Sequence, residues 1–219
     1  MTPQTDQDWT LDELRERLAP GIAANAAFDG WGDEALAIAA DAMGADAGVA
    51  KLAFPGGAVD MIDAWFAHVD RAMVAAVPAV ATLKIRARIA ALVEARLAAV
   101  EPDREALRRA LAVLALPQNL ARAARLGWRT ADAIWRAAGD TATDYNHYTK
   151  RAILLGVYGA TVSVFLDDES EGWVDTRAFL QRRIDGIMRF EKAKAGFLAR
   201  RENLPSLSRF IGRLRYPAV

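Results

Sequence analysis

The sequence contains no cysteine, which excludes structural disulfides and thiolate chemistry. It has only two histidines, His68 and His147, and no surplus of charge, since 28 Lys and Arg balance 28 Asp and Glu. A chain without net charge has no global attraction for nucleic acid. Long apolar runs are missing as well. The longest uncharged apolar one, 152–166, falls short of the about 18–20 residues that cross a bilayer. No phosphate-binding Gly loop and no Gly-x-Ser-x-Gly elbow occurs. The opening MTPQTDQDWTLDEL is acidic and polar, unlike a signal or transit peptide. The expectation is a soluble, cytoplasmic chain whose 219 residues suffice for one sizeable core.

What is present reads as helix almost throughout. Ala and Arg are abundant, strand-like alternation is absent, and Gly or Pro falls at plausible breaks. Thr10-Leu11-Asp12-Glu13 is a capping box that opens a first helix, which Pro20 should kink or split. Met61, Ile62, Trp65, Phe66, Val69 and Met73 share one face of a helix over 58–77. A helix over 81–100 places Leu83, Ile85, Ile89, Leu92 and Val93 inward and Lys84, Arg86, Arg88, Glu94 and Arg96 outward. Further helices cover 103–116, 120–138 with a break at Gly127, about 144–166, and 173–190. The pattern divides into N-terminal helices over 1–80, a bundle over 81–190, a charged linker over 191–203 and an amphipathic tail over 204–219.

Charge is unevenly distributed. Residues 1–60 carry 11 acids against 3 bases, whereas 186–219 carry 8 bases against 2 acids. Within the acidic head, Ile38-Ala39, Gly44 and Phe54-Pro55 have the spacing of a TetR-type helix-turn-helix. The segment that should read DNA, Asp46 to Ala53, offers one cation, Lys51, and no Asn, Gln or Arg for base edges. The arrangement therefore resembles that fold without its DNA-reading chemistry. In the basic tail, Leu204, Leu207, Phe210, Ile211 and Leu214 form an apolar stripe, with Arg209, Arg213 and Arg215 off it. Such a helix suits an anionic membrane surface, or docks on its own body or on a dimer partner.

The stretch GDTATDYNHYTKRAILLGVYGATVSVFL, 139–166, joins a polar half to an uncharged one. Asp144-x-x-His147 has the spacing of a metal-binding pair, but a di-metal bundle needs a second pair, and the residue three before His68 is Trp65. The polar half is first of all a helix N-terminus capped by Thr143 or Asp144. Tyr145, His147 and Tyr148 beside Trp135 are side chains of the kind that interfaces favour. In the uncharged half, Gly156, Gly159, Ala160 and Ser163 make one smooth face amid Leu154 and its apolar neighbours. A helix apolar on all sides is expected to be buried. The smooth face suits close helix packing, or leaves a cavity beside the helix.

The block Gly-Asp-x-x-Thr-Asp-x-Asn-x-Tyr-Thr-x-Arg-Ala, together with Asp175, Phe179, Leu180, Arg183, Ile184, Ile187 and Met188, resembles the ubiquinone-biosynthesis accessory family known as coenzyme Q protein nine. The similarity runs from about 28 to 190 and includes Gly30-Trp31 and Leu116-Pro117-Gln118-Asn119. It implies an all-α, TetR-like bundle of about nine to ten helices with a C-terminal amphipathic helix, and a homodimer without catalytic activity, cofactor or metal. It also implies a lipid or isoprenoid quinone precursor as ligand, in a pocket built from Leu154, Gly156, Gly159, Ala160 and Ser163. The partner implied is the demethoxyubiquinone hydroxylase, met by Ile134, Trp135, Asp144, His147 and Tyr148; relatives often carry Trp where His147 stands. Membrane lipids are met by the tail, at the inner face of the membrane, and nucleic acid is not a partner. The alternative is a TetR-type transcriptional regulator with a lipid-like effector.

Overall fold

The computed structural model describes residues 9–141 and 145–187, the side chains of 145 and 146 excepted. Among these residues the architecture is all-α, with short 3-10 turns and no strand. The helices are α1 (Leu11–Asp29), α2 (Asp33–Ala42), α3 (Ala47–Ala53), α4 (Ala58–Ala76), α5 (Ile85–Val100), α6 (Arg104–Leu114), α7 (Leu120–Ala137) and α8 (Tyr145–Asp167). A ninth helical stretch, α9, occupies 174–187. The linker over 191–203 and the tail over 204–219 lie outside the described residues.

Local chemistry explains most boundaries. Thr10 Oγ1 accepts from the Glu13 N–H at 3.3 Å and Glu13 Oε2 accepts from the Thr10 N–H at 2.9 Å, closing the capping box on α1. Pro20 does not split α1, which runs on to Asp29. The missing proline N–H is outweighed by the apolar face Leu14, Leu18, Ala19, Ile22, Ala23 and Ala26, all buried. Gly44, at φ +68°, turns the chain from α2 towards α3, whose N-cap Asp46 accepts from the Val49 N–H at 2.9 Å. α1, α2 and α3 pack on one another to form the head, and α4 leads from it into the bundle.

The core runs continuously from head to bundle. Trp65 of α4 lies 5.3 Å from Trp31 between ring centroids, and the Trp31 indole donates to the Ala106 carbonyl of α6 at 2.9 Å. Full burial of each large apolar side chain here contributes about 1.5–3 kcal/mol. Met61, Ile62, Val69 and Met73 occupy the inward face of α4 as their spacing predicts.

Several sequence expectations for the bundle fail. α5 begins at Ile85 rather than near Ala81, because 80–82 form a 3-10 turn that Arg88 ties down: it donates to Ala81 O in the turn at 2.6 Å and to Leu83 O just after it at 2.7 Å. Leu83 and Ile85 are accordingly exposed rather than inward. Arg96, expected outward, is 1% exposed. Its guanidinium is held by Asp70 at 2.8 Å, by Thr130 at 3.2 Å and by the Tyr158 hydroxyl, so the buried charge is paired and hydrogen-bonded on every side. Burial pushes the Tyr158 phenol up, although Arg96 beside it acts in the other direction.

α7 does not break at Gly127. A Cβ on Gly127 would lie 2.7 Å from Leu155 Cδ1, so the glycine lets α7 and α8 approach closely. At its far end α8 turns into α9 over Asp168. The Asp168 carboxylate accepts from the Ser170 N–H at 2.9 Å and from the Thr176 N–H at 2.8 Å. Burial acts to raise this carboxyl, yet these hydrogen bonds prevail and hold it well below the ordinary range.

Candidate functional site

The polar stretch at the α7–α8 turn is first of all a clamp. Gly139, at φ +87°, reverses the chain after α7 and brings Asp140 back over the start of α8. Arg151 of α8 is 1% exposed. Its Nε donates to Asp132 of α7 at 2.6 Å and its Nη1 to Asp140 at 3.1 Å. Lys150 adds a second cation on Asp140 at 2.7 Å. Burial works to raise the Asp140 carboxyl, but hydrogen bonds from Lys150 and Arg151 outweigh it and keep it below the usual carboxylate range. This network went unread in the sequence. The signal was there in Gly139-Asp140 and Arg151, but joining them to Asp132 requires the packing of two helices.

Outside the clamp lies an aromatic surface. Tyr148 is 61% exposed and sits between two rings. The Trp128 ring is 6.0 Å away and the His147 ring meets it edge-on at 5.1 Å. Trp135 is half-buried; its indole donates to the Lys150 carbonyl at 3.1 Å and the Lys150 ammonium lies 5.4 Å from its ring centroid. Ile134 is fully buried, so it supports this surface from below instead of contacting a partner, which corrects its sequence assignment. Asp144 lies outside the described residues. Trp128, which the sequence reading did not include in the patch, belongs to it through its place one turn below Asp132 on α7.

α8 is not buried on all sides, contrary to the sequence expectation. Ala152, Gly156, Gly159 and Ser163 face solvent, and no atom lies within 4 Å of a Cβ built on Gly156 or Gly159. The smooth face is therefore open and not a close helix contact. The segment His147–Asp167 is long and apolar enough to cross a membrane, with a mean hydropathy of 1.2. Its other side packs into the core through Leu154, Val157, Val162 and Phe165, as a bundle helix does. Between α8 and α9 lies a groove of about 740 Å³, lined by Ile153, Gly156, Val157 and Ala160 on one side and Arg182, Arg183, Gly186 and Ile187 on the other. Of the pocket residues read from sequence, Gly156 and Ala160 line it. Leu154 points into the core, and Gly159 and Ser163 lie on the open face beyond the groove. No cluster of three or more metal-ligating side chains occurs among the described residues.

At the opposite end, α3 presents Ala47, Gly48, Val49, Lys51 and Leu52 to solvent. Lys51, its one cation, is paired with Asp33 at 2.6 Å. A helix so furnished has no side chain for base edges and no unpaired charge for phosphates.

A family model described as COQ9 matches residues 120–191, the segment that contains α7, the clamp, α8 and α9. This segment of the chain is similar to the COQ9 family. It is 43% identical over 96 residues to the "Ubiquinone biosynthesis protein COQ9, mitochondrial" of Rattus norvegicus, covering 44% of this chain and 31% of that protein. The match to the Bos taurus protein of the same name is 29% identical over 194 residues and covers 84% of this chain and 61% of the relative. The coq9 protein of Schizosaccharomyces pombe matches at 27% over 156 residues, 71% of this chain and 62% of that one. The chain thus spans less than two thirds of these curated relatives. The fold is also that of a TetR transcriptional regulator from Nitrosomonas europaea, with a TM-score of 0.63, 24% identity, and 78% of this chain and 96% of that one covered. The TetR-like frame is thus shared, and the match to the COQ9 model falls on α7, the clamp, α8 and α9.

Proposed function

We propose that the protein is a non-catalytic accessory protein of ubiquinone biosynthesis that holds a polyprenyl quinone precursor and presents it to the demethoxyubiquinone hydroxylase. One observation carries the reading: the COQ9-matching segment, 120–191, unites an exposed aromatic surface and an apolar groove on the same helix. Tyr148 on the surface and Ile153 in the groove are five residues apart on α8.

The chemistry of the precursor requires such a carrier. Each methylene moved from an apolar setting into water costs about 0.8 kcal/mol, so a polyprenyl tail does not leave a bilayer unaided. The groove floor receives the tail, and Tyr148, Trp128 and His147 form the docking rim for the hydroxylase. The basic tail, with Leu204, Leu207, Phe210, Ile211 and Leu214 as its apolar stripe, seats the protein on the anionic face of a membrane. The open face of α8 beyond the groove, at Gly159 and Ser163, suits a second copy in a homodimer, since small residues let helices approach. None of these roles needs a side chain with a catalytic pKa.

The experiment is co-purification of the hydroxylase with Tyr148→Ala. Tyr148 is mostly exposed, so the variant stays folded, with a thermal midpoint lowered by only a few degrees through the lost ring contacts, while recovery of the hydroxylase falls about tenfold or more. Undiminished recovery removes the docking assignment. The alternative regulator reading has the TetR-like frame in its favour, and the paired Lys51 and acidic head against it.

A further inference from the structure

The two walls of the α8–α9 groove differ in chemistry. The α8 wall, Ile153, Gly156, Val157 and Ala160, has no side-chain hydrogen-bonding group. The α9 wall carries two consecutive guanidiniums, Arg182 and Arg183, both exposed. Many other arginines of the bundle have fixed tasks: Arg96, Arg122, Arg129 and Arg151 hold carboxylates, and Arg88 and Arg104 hold carbonyls, whereas Arg125 on α7 is exposed and unpaired among the described residues but does not line this groove. Among the described residues Arg182 makes no ion pair, and Arg183 makes only a stacking contact, 4.8 Å from the Phe179 ring centroid. No atom lies within 4 Å of a Cβ on Gly156 or Gly186, so the walls stand apart and leave room for a chain between them.

An uncharged trough with an unsatisfied guanidinium pair on its rim matches an amphiphile of one kind. Guanidinium donors are arranged to meet phosphate or carboxylate oxygens, and they bind such anions more strongly than any neutral oxygen. We infer that the groove takes a prenyl or acyl chain bearing an anionic head, a phosphate or a carboxylate, with the chain against Ile153, Gly156, Val157 and Ala160 and the head against Arg182 and Arg183. The inference rests on the groove being the lipid site proposed above and adds the charge of its ligand. A neutral quinone precursor would lie in the same trough without the contribution of the two guanidiniums, so an anionic amphiphile is held there more tightly.

The test uses the full chain and three probes of equal chain length: geranylgeranyl phosphate, geranylgeranoic acid and geranylgeraniol, titrated by calorimetry below their aggregation thresholds. The phosphate, the acid or both should bind about tenfold tighter than the alcohol at low salt. The gap should narrow as salt is raised, since exposed charges are screened over about 8 Å at physiological ionic strength. Arg182→Gln with Arg183→Gln should erase the gap and leave the alcohol's affinity in place. Gly156→Leu, which fills the floor at an exposed and uncrowded position, should weaken all three probes. A gap for the phosphate alone assigns the head as a phosphate, and one for the acid as well extends it to carboxylates. Equal affinity of all three probes for the unmodified chain overturns the anionic head but leaves the groove as a lipid site. Binding that Gly156→Leu does not alter, or no binding at all, overturns both.

Discussion

The two ends of this molecule treat charge in opposite ways. At the head, acids lie on the surface and the single lysine of α3 is tied to Asp33, so the helix that would enter a DNA groove shows solvent little but Ala, Gly, Val and Leu. At the α7–α8 end, charge is drawn inward. Arg151 and Asp140 are buried against each other, and what remains outside is aromatic. The difference teaches that a shared frame does not fix where a protein meets its partners. The docking surface proposed above lies where charge has been neutralised internally and rings are left exposed.

The contrast breaks most severely if the clamp is cut. Arg151→Ala leaves Asp132 and Asp140 without their shared partner, and removal of one member of a buried ion pair costs about 3–5 kcal/mol. A fall in the midpoint of denaturant unfolding should report it, whereas Lys51→Ala at the head should change the unfolding free energy by less than about 0.5 kcal/mol. Equal effects at the two ends would erase the distinction.

A smaller effect is expected from pH. The Asp140 carboxyl is held below its unfolded value, which lies near 3.9. The folded state therefore binds its proton less readily than the unfolded one, and the associated stability is present above that value. It is lost as pH falls through the folded value. Asp140→Asn should destabilise at neutral pH and flatten the acid limb of the stability curve below about pH 4. An acid limb as steep as in the unmodified chain would show that Asp140 does not titrate with folding.

At the surface itself the effect on stability matters less than the effect on binding. Trp128→Ala removes one ring from beside Tyr148, and the loss of an aromatic pair costs about 0.5–1.5 kcal/mol beyond burial. Its larger consequence should be weaker recovery of the hydroxylase, a readout that Lys51→Ala leaves unchanged. A loss of recovery in both variants would point to a global cause.

Much of the fold was legible because its punctuation is local. The capping box at Thr10, the turn at Gly44 and the inward stripe of α4 depend on residues within one or two turns of one another. What the sequence concealed depends on partners far along the chain. Arg96 reads as an outward residue of α5 until Asp70, Thr130 and Tyr158 converge on it from three other helices. The start of α5 is set by Arg88, which also reaches the Ala138 carbonyl at 2.9 Å. The site was legible as a cluster and not as an arrangement. Tyr148, His147 and Trp135 stand out by type, but the clamp beneath them and the burial of Ile134 follow from how α7 meets α8. The openness of Gly156 and Gly159 could not be read either, because a stripe of small residues looks the same whether a neighbour covers it or not.

The two buried arginine sites have a joint consequence for α8. Arg151 fastens it to α7 and the clamp, and Tyr158 fastens it to Arg96 of α5. The two points are seven residues, about 10.5 Å, apart along one helix. Two bolts at that separation fix both the height and the azimuth of a rod. A one-residue roll of α8 would swing both side chains by about 100° and break both fastenings together. The groove wall that α8 supplies is therefore a fixed jaw. Any change in the width of the groove has to come from the α9 side.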